Sequence, residues 1–169
     1  SEARARQYVV FPDEAASLLR VSRPLQQLLQ RMTQDKLSTQ SYHGSTGPPL
    51  RSYVFGATAA ADRPAAYAYA EQLVLAIAEL VASFPGLSLH NRLAIVVPDA
   101  AFARALRAPL AEALRGRFAG RRFELVDARR AAAAVLGAGR KRGAGAVEML
   151  VFDTIAALDG LERLMVVAV

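Results

Sequence analysis

The chain has 169 residues, of which 53% are hydrophobic and 21% are charged, so it can bury a core of about one domain. This composition excludes collagen-like, coiled-coil and wholly disordered proteins. The absence of cysteine excludes disulfide scaffolds, cysteine zinc sites and thiol catalysis. We expect one domain over residues 1–169, as a fragment of a longer protein, because the last apolar run stops with the chain.

The net charge of +6 is unevenly placed along the chain. Residues 104–142 contain eleven arginines and lysines against Glu112, Glu124 and Asp127, which gives a local charge of +8. The remaining residues are slightly acidic. A one-sided basic segment is typical of a surface that faces phosphates, although many such segments are only solvated helix faces and loops.

The first third of the chain mixes helical and turn signals. Helical spacing over residues 13–34, interrupted by Pro24, predicts two short helices or one kinked helix. Residues 38–50 are dense in turn formers and predict a mobile loop. Residues 51–55 have the β-branched and aromatic content of a strand, and an amphipathic helix is predicted over residues 64–84.

Apolar strands and helices alternate through the rest of the chain. Residues 93–97 form a continuous apolar run, which indicates a strand buried on both faces. Asp99 then caps a helix that reaches about residue 115. Further strands are predicted over residues 122–126, 147–152 and 164–169, with another helix over residues 128–136. This order predicts an α/β fold whose sheet is mainly parallel and carries helices on both faces.

The sequence gives no sign of a membrane or secretory segment. Glu71, Glu79 and Arg92 interrupt the longest apolar stretches before about 18 residues. The first residues also lack the apolar core of a secretory signal. We therefore expect no membrane partner and a location in the cytoplasm or nucleus.

Candidate binding residues follow the strand predicted over residues 147–152, because ligands of such sheets lie beyond the carboxyl ends of strands. Thr154 can donate its hydroxyl and backbone N–H to a phosphate, and Gly160 permits a close backbone approach. Glu162 can accept hydrogen bonds from ribose hydroxyls. The same residues also fit an ordinary turn between strands, in which Asp153 caps a helix and Gly160 ends it.

The pattern Asp-Thr-Ile, then Gly-Leu-Glu-Arg, over residues 153–163 resembles a motif in the second RecA-like domain of superfamily 1 helicases, in particular their UvrD-like and Schlafen-like branches. The resemblance implies a P-loop NTPase-type domain without its own P-loop, which binds single-stranded DNA or RNA and completes an ATP cleft. It implies that Thr154 contacts the nucleic-acid backbone, and that Gly160 and Glu162 approach the nucleotide, with the glutamate at the ribose.

Residues 19–29 are similar to the opening element of that domain, in which an arginine precedes a helix. The resemblance implies that Arg23 is an arginine finger directed at the γ-phosphate; a plain surface or capping arginine is the alternative. The chain lacks a G-x-x-x-x-G-K-[ST] loop. ATP and Mg²⁺ would thus be held mainly by the first RecA-like domain of the same protein, and this segment alone should not hydrolyse ATP.

Further nucleic-acid candidates lie in predicted loops. Thr58 follows the strand predicted over residues 51–55, and Arg140, Lys141 and Arg142 lie in the glycine-rich residues 137–146. That stretch predicts either a mobile basic linker or a phosphate-contacting loop. His43 and His90 have no second ligand at metal spacing, so we expect both to be solvated and no metal to be bound by this chain's own residues.

Two positions depart from the helicase pattern. Asp159 stands where the family often has lysine, glutamine or serine, and Ser22 replaces the aromatic residue that usually precedes the arginine. Both differences favour an alternative function, a non-catalytic α/β module, derived from a helicase domain, that binds nucleic acid or another protein.

Overall fold

The computed structural model describes residues 16–18, 23–32, 39–41, 50–56, 64–136, 146–158 and 163–169. The chain divides into two compact units, Ser1–Val54 and Phe55–Val169. The assignment of residues 1–169 to one domain stays a prediction.

The described part of the first unit contains a helix and two short strands. Strand β1 is Ala16–Leu18, helix α1 is Arg23–Met32 and strand β2 is Thr39–Ser41. The two strands pair in parallel. A helix was predicted at β1 and a loop at β2, and both predictions are wrong. A stretch of three residues is too short to show the alternation that identifies a strand in a sequence. Each of these two strands forms because it pairs with the other.

Two other predictions in this part of the chain are also corrected. Pro24 is the second residue of α1, where a missing N–H costs no helical hydrogen bond, so the proline begins the helix and does not kink it. Residues 51–55 have no regular structure. No described strand pairs with them, and Val54 is 97% exposed. Their β-branched and aromatic content was therefore misleading.

The second unit contains a four-stranded parallel sheet with the order β4-β5-β3-β6. Its helices are α2 (Ala65–Ser83), α3 (Ala100–Arg117) and α4 (Ala128–Leu136), and its strands are β3 (Leu93–Val97), β4 (Phe123–Val126), β5 (Glu148–Thr154) and β6 (Met165–Ala168). Each pair of neighbouring strands is parallel. The predicted α/β fold with a mainly parallel sheet is confirmed.

Two hydrophobic layers cover the two faces of this sheet. Because alternate residues of a strand point to opposite faces, Ile95 and Phe152 join the layer of α2 and α3, while Ala94 and Val151 join the layer of α4. Ile95, Phe152 and Val151 are completely buried. Each such side chain contributes about 1.5–3 kcal/mol by leaving water. The prediction of helices on both faces is thus confirmed.

Helix α2 is the most apolar helix in the described part of the chain. By length and composition alone it could cross a membrane, so the expectation that Glu71 and Glu79 rule this out is wrong. The buried core helix of a soluble protein meets the same criteria. In this fold Leu73 and Ile77 of α2 pack in the larger hydrophobic layer, and 28% of the apolar window is buried, which accounts for part of the apolar character of the helix.

The amino end of β5 is held by the carboxylate of Glu148. It accepts hydrogen bonds from Arg121 Nε at 2.7 Å, Arg121 Nη2 at 2.6 Å, the Leu89 N–H at 2.6 Å and the Ser88 hydroxyl at 3.1 Å. The Glu148 side chain is only 14% exposed. This carboxylate therefore links the segment between α3 and β4, the segment before β3 and the first residue of β5.

The turn before β3 adds further bonds at the same end of the sheet. His90 is half-buried and accepts the Met149 N–H through Nδ1 at 2.9 Å, so the expectation of a solvated histidine is wrong. Asn91 adopts a positive φ of 55°, which asparagine tolerates better than most residues. Its N–H donates to the Met149 carbonyl at 2.7 Å, and its side-chain amide donates to the Ala131 carbonyl at 3.2 Å.

The Glu148 cluster gives a pH-dependent prediction. Burial raises the pKa of Glu148, but its hydrogen bonds with Arg121, Leu89 and Ser88 and the charge of Arg121 together lower it below the ordinary value of 4.5. The ionised carboxylate therefore stabilises the fold above that pH, and this contribution is lost as the pH falls through the lowered pKa. We expect Glu148→Gln to reduce the free energy of unfolding by about 2 kcal/mol at neutral pH, measured by urea denaturation.

The difference between wild type and Glu148→Gln should shrink as the pH is lowered below 4.5. The matched control is Glu112→Gln, an exposed position on α3, which should leave stability unchanged at every pH. A Glu148→Gln effect that is equally large in acid would show that the carboxylate charge is not the stabilising feature.

Candidate functional site

The central strands β3 and β5 end side by side at the carboxyl edge of the sheet. Val97 pairs in register with Thr154, and the Ile155 N–H donates to the Val97 carbonyl at 3.2 Å. From β3 the chain leads to β4 on one side of this pair, and from β5 it leads to β6 on the other. Adjacent strands whose connections run in opposite directions form a topological switch point, which is where open α/β sheets bind ligands. Thr154 lies at this point.

Aspartates cap the two helices that begin at this edge. Asp99 Oδ1 accepts the Phe102 N–H at 2.8 Å at the start of α3, as the sequence predicted. Asp127 Oδ1 accepts the Arg130 N–H at 2.8 Å at the start of α4. Caps of this kind contribute about 1 kcal/mol each. Both carboxylates therefore have a structural role.

Asp153 connects the end of β5 to the start of α4. Its Oδ2 accepts the Ala128 N–H at 3.0 Å, and its Oδ1 accepts the Thr154 N–H at 2.8 Å. The alternative interpretation of the sequence made Asp153 the cap of a following helix, and this is wrong. Residues 155–158 form a turn, which the Thr154 side chain caps by accepting the Ala157 N–H at 3.3 Å.

These bonds decide which donors of Thr154 are left for a ligand. The sequence suggested both its hydroxyl and its backbone N–H. The N–H is already bonded to the Asp153 carboxylate. The hydroxyl accepts the Ala157 N–H, and because a hydroxyl also carries one proton, it can still donate to an oxygen such as that of a phosphate.

Arg107 is a further polar residue that the sequence did not indicate. From α3 its Nη1 donates to the Leu125 carbonyl at 2.9 Å, and its guanidinium lies over the Phe152 ring at 5.0 Å. These contacts attach α3 to the ends of β4 and β5. An arginine between apolar helix residues is usually a solvated side chain, so spacing alone could not identify this role.

None of the other predicted site residues lies in the described part of the second unit. Arg23 is the exposed first residue of α1, in the first unit. The predicted positions outside the described residues are Thr58, Arg140, Lys141, Arg142, Gly160 and Glu162.

The described residues offer no cluster of three or more acids and histidines that could hold a metal ion. The carboxylates at the carboxyl edge, Asp99, Asp127 and Asp153, each accept a backbone N–H. They do not fit the Mg²⁺ ion that would accompany ATP. Such an ion would need ligands from outside this set.

No protein-family model matches the chain, and no curated protein or solved structure is significantly similar to it. The interpretation of the site therefore depends on the residues themselves and their geometry.

The role of Asp153 is tested by its removal. We expect Asp153→Ala to lower the free energy of unfolding by about 1–2 kcal/mol, because the Ala128 and Thr154 amides lose their acceptor. Asp153→Asn keeps one acceptor oxygen and should lose less. Urea denaturation measures both variants, with Glu112→Ala on the exposed face of α3 as the control. Wild-type stability in Asp153→Ala would rule out the bridging role.

Proposed function

We propose that the chain is the C-terminal RecA-like half of an ATP-dependent helicase or translocase. It binds single-stranded nucleic acid and completes an ATP cleft with the first RecA-like domain of the same protein. The observation that carries the proposal is the position of Thr154, the threonine of the motif that also contains Gly160, Leu161 and Glu162. It lies at the topological switch point of a parallel sheet, beside the end of β3.

The roles of the residues follow from their chemistry and from the resemblance to the helicase motif. The Thr154 hydroxyl donates to a phosphate oxygen of the nucleic acid, and Thr58 and the basic residues 140–142 add contacts to the same strand. Glu162 accepts hydrogen bonds from the ribose of ATP, with Gly160 close to the nucleotide. Arg23 stabilises charge at the γ-phosphate.

ATP supplies the phosphoryl group whose transfer to water drives the movement of the strand. Because phosphoryl transfer is catalysed mainly by positioning and by charge, the residues of this chain act by orienting the nucleotide and neutralising its charge. The phosphate-cradling loop and the ligands for Mg²⁺ come from the partner domain. The chain alone is therefore inactive as an ATPase.

A second candidate function is a non-catalytic module that binds nucleic acid or protein. It is favoured by the three carboxylates of Asp99, Asp127 and Asp153 at the carboxyl edge, where the predicted ligands are anionic. Both functions allow nucleic-acid binding. Only the first requires ATP hydrolysis by the protein that contains this chain.

The ribose contact of Glu162 is tested in a protein that carries this chain together with its P-loop domain. We expect Glu162→Ala to reduce the kcat/KM of ATP hydrolysis, stimulated by single-stranded nucleic acid, by about a hundredfold, as expected for the loss of hydrogen bonds to a charged group. Glu112→Ala on α3 is the control and should behave as wild type. Unchanged kinetics in Glu162→Ala would remove the ribose assignment, and no ATPase activity in the wild type would favour the second function.

The arginine finger has its own test in the same assay. Arg23→Ala should lower kcat by about a thousandfold or more, with little change in the affinity for ATP, because a finger acts on charge that develops during the transfer. Arg31→Ala, an exposed arginine on the same helix, is the control. Equal rates for the two variants would make Arg23 an ordinary surface residue.

A further inference from the structure

Six arginines of the basic segment lie in two groups in the fold. Arg129 and Arg130 lie at the start of α4, where Arg130 forms an ion pair with Glu124 at 2.7 Å. Arg115 and Arg117 lie in the last turn of α3, and Arg121 and Arg122 come just before β4. Because α3 leaves the carboxyl end of β3 and leads to the start of β4, these four arginines lie near the amino edge of the sheet, opposite Thr154.

An open cleft of about 430 Å³ lies among these residues. Its lining includes Arg115, Arg121, Arg122, Phe118, Phe123 and Glu124. Two of the charged groups are already used within the fold, since Arg121 is bonded to Glu148 and Glu124 is paired with Arg130.

The charges of Arg115 and Arg122 remain for a ligand. Within the described part of the chain, no acidic side chain forms an ion pair with either one. Arg115 and Arg122 are both exposed, and the Arg122 carbonyl accepts the Glu148 N–H at 2.7 Å. Arg115 lies in the last turn of α3, where a positive charge stabilises the helix end, so its presence has a structural explanation. Arg122 lies beyond the helix and has no such explanation. The cleft is therefore cationic at its rim.

Two phenylalanine rings provide an apolar surface in the same cleft. Phe118 and Phe123 meet edge-on with ring centroids 5.3 Å apart, and both are packed against the larger hydrophobic layer. The Arg117 guanidinium lies 5.9 Å from the Phe118 ring centre, and that of Arg121 lies 5.1 Å from the ring centre of Phe123. The rings are half-buried, so each also has exposed surface.

Guanidinium groups and aromatic rings together match a particular ligand chemistry. Guanidinium groups bind phosphate oxygens through paired N–H donors. Aromatic surfaces bind the faces of bases, which are accessible only where a strand is unpaired. A purely acidic peptide would use the arginines and leave the rings without a partner.

We propose that this amino-edge cleft binds single-stranded nucleic acid, with Arg115 and Arg122 on the phosphates and a base against Phe118 and Phe123. The surface is separate from the Thr154 edge and does not depend on the proposed function. The cleft requires no ATP and no second domain, so its binding can be measured on the 169-residue chain itself.

The test measures binding of a fluorescent oligothymidylate of about 12 nucleotides by anisotropy over a series of salt concentrations. The Arg115→Gln, Arg122→Gln double variant should bind at least tenfold more weakly, and its salt slope should be smaller by about 1.4, as expected for two lost phosphate contacts. The control double variant is Arg104→Gln, Arg129→Gln, which removes the same charge at two exposed positions away from the cleft. It should retain most of the affinity. The single variant Arg115→Gln should show an intermediate loss, which separates the contribution of Arg115 from that of Arg122.

Competitors identify the ligand class. An abasic strand of equal charge should compete less well than the oligothymidylate, and a polyglutamate peptide should compete least. Equal competition by polyglutamate, equal losses in the two double variants, or no binding by wild type at low salt would each overturn the proposal. Weaker binding in Thr154→Ala with wild-type binding in Arg115→Gln, Arg122→Gln would overturn the cleft and leave the proposed function standing. The reverse result would support the cleft and count against the Thr154 contact.

Discussion

The burial of β5 is the constraint on which the rest of the second unit depends. Phe152 faces one hydrophobic layer and Val151 the other, and neither has any exposed surface. A strand covered in this way cannot carry a polar side chain at its centre without a large desolvation cost. Its polar residues, Glu148, Asp153 and Thr154, are therefore at its two ends. The chemistry of this sheet is confined to its edges because its middle is apolar on both faces.

The two ends of β5 satisfy their carboxylates by different means. Glu148 is held by the charged side chain of Arg121, whereas Asp153 is held by the backbone amides of Ala128 and Thr154. Each arrangement occupies one hydrogen-bond donor that could otherwise bind a ligand. The carboxyl edge keeps the Thr154 hydroxyl but not its N–H, while the amino edge keeps the cations of Arg115 and Arg122 but not that of Arg121. The groups that can bind a ligand at either edge are therefore those that are not already bonded within the fold.

The sequence predicted the parts of this unit that have a long apolar signal. Leu93–Val97 and Ala128–Leu136 have the predicted bounds; the first is a continuous apolar run and the second is a helical stretch rich in alanine. The failures are short segments whose structure depends on a partner: residues 51–55 lack one, and Ala16–Leu18 has one in β2. The strand-end rule located Thr154, but no local pattern showed that Asp153 bonds to Ala128, a residue 25 positions away.

The charge of the basic segment also shows that a sequence pattern does not reveal where residues lie in the fold. Along the sequence it is one block, but α3 has 18 residues and carries the chain from one edge of the sheet to the other. At 1.5 Å per residue, Arg115 lies about 24 Å along the helix from Asp99, which caps the beginning of α3.

Groups this far apart act independently in mutational tests unless one ligand reaches both. A nucleic-acid strand long enough to span the sheet could bind both edges, because binding at one edge raises the effective concentration of the strand at the other. A shorter strand would bind each edge with the affinity of that edge alone. The length of the strand, and no new contact, would then determine how strongly the two edges are coupled.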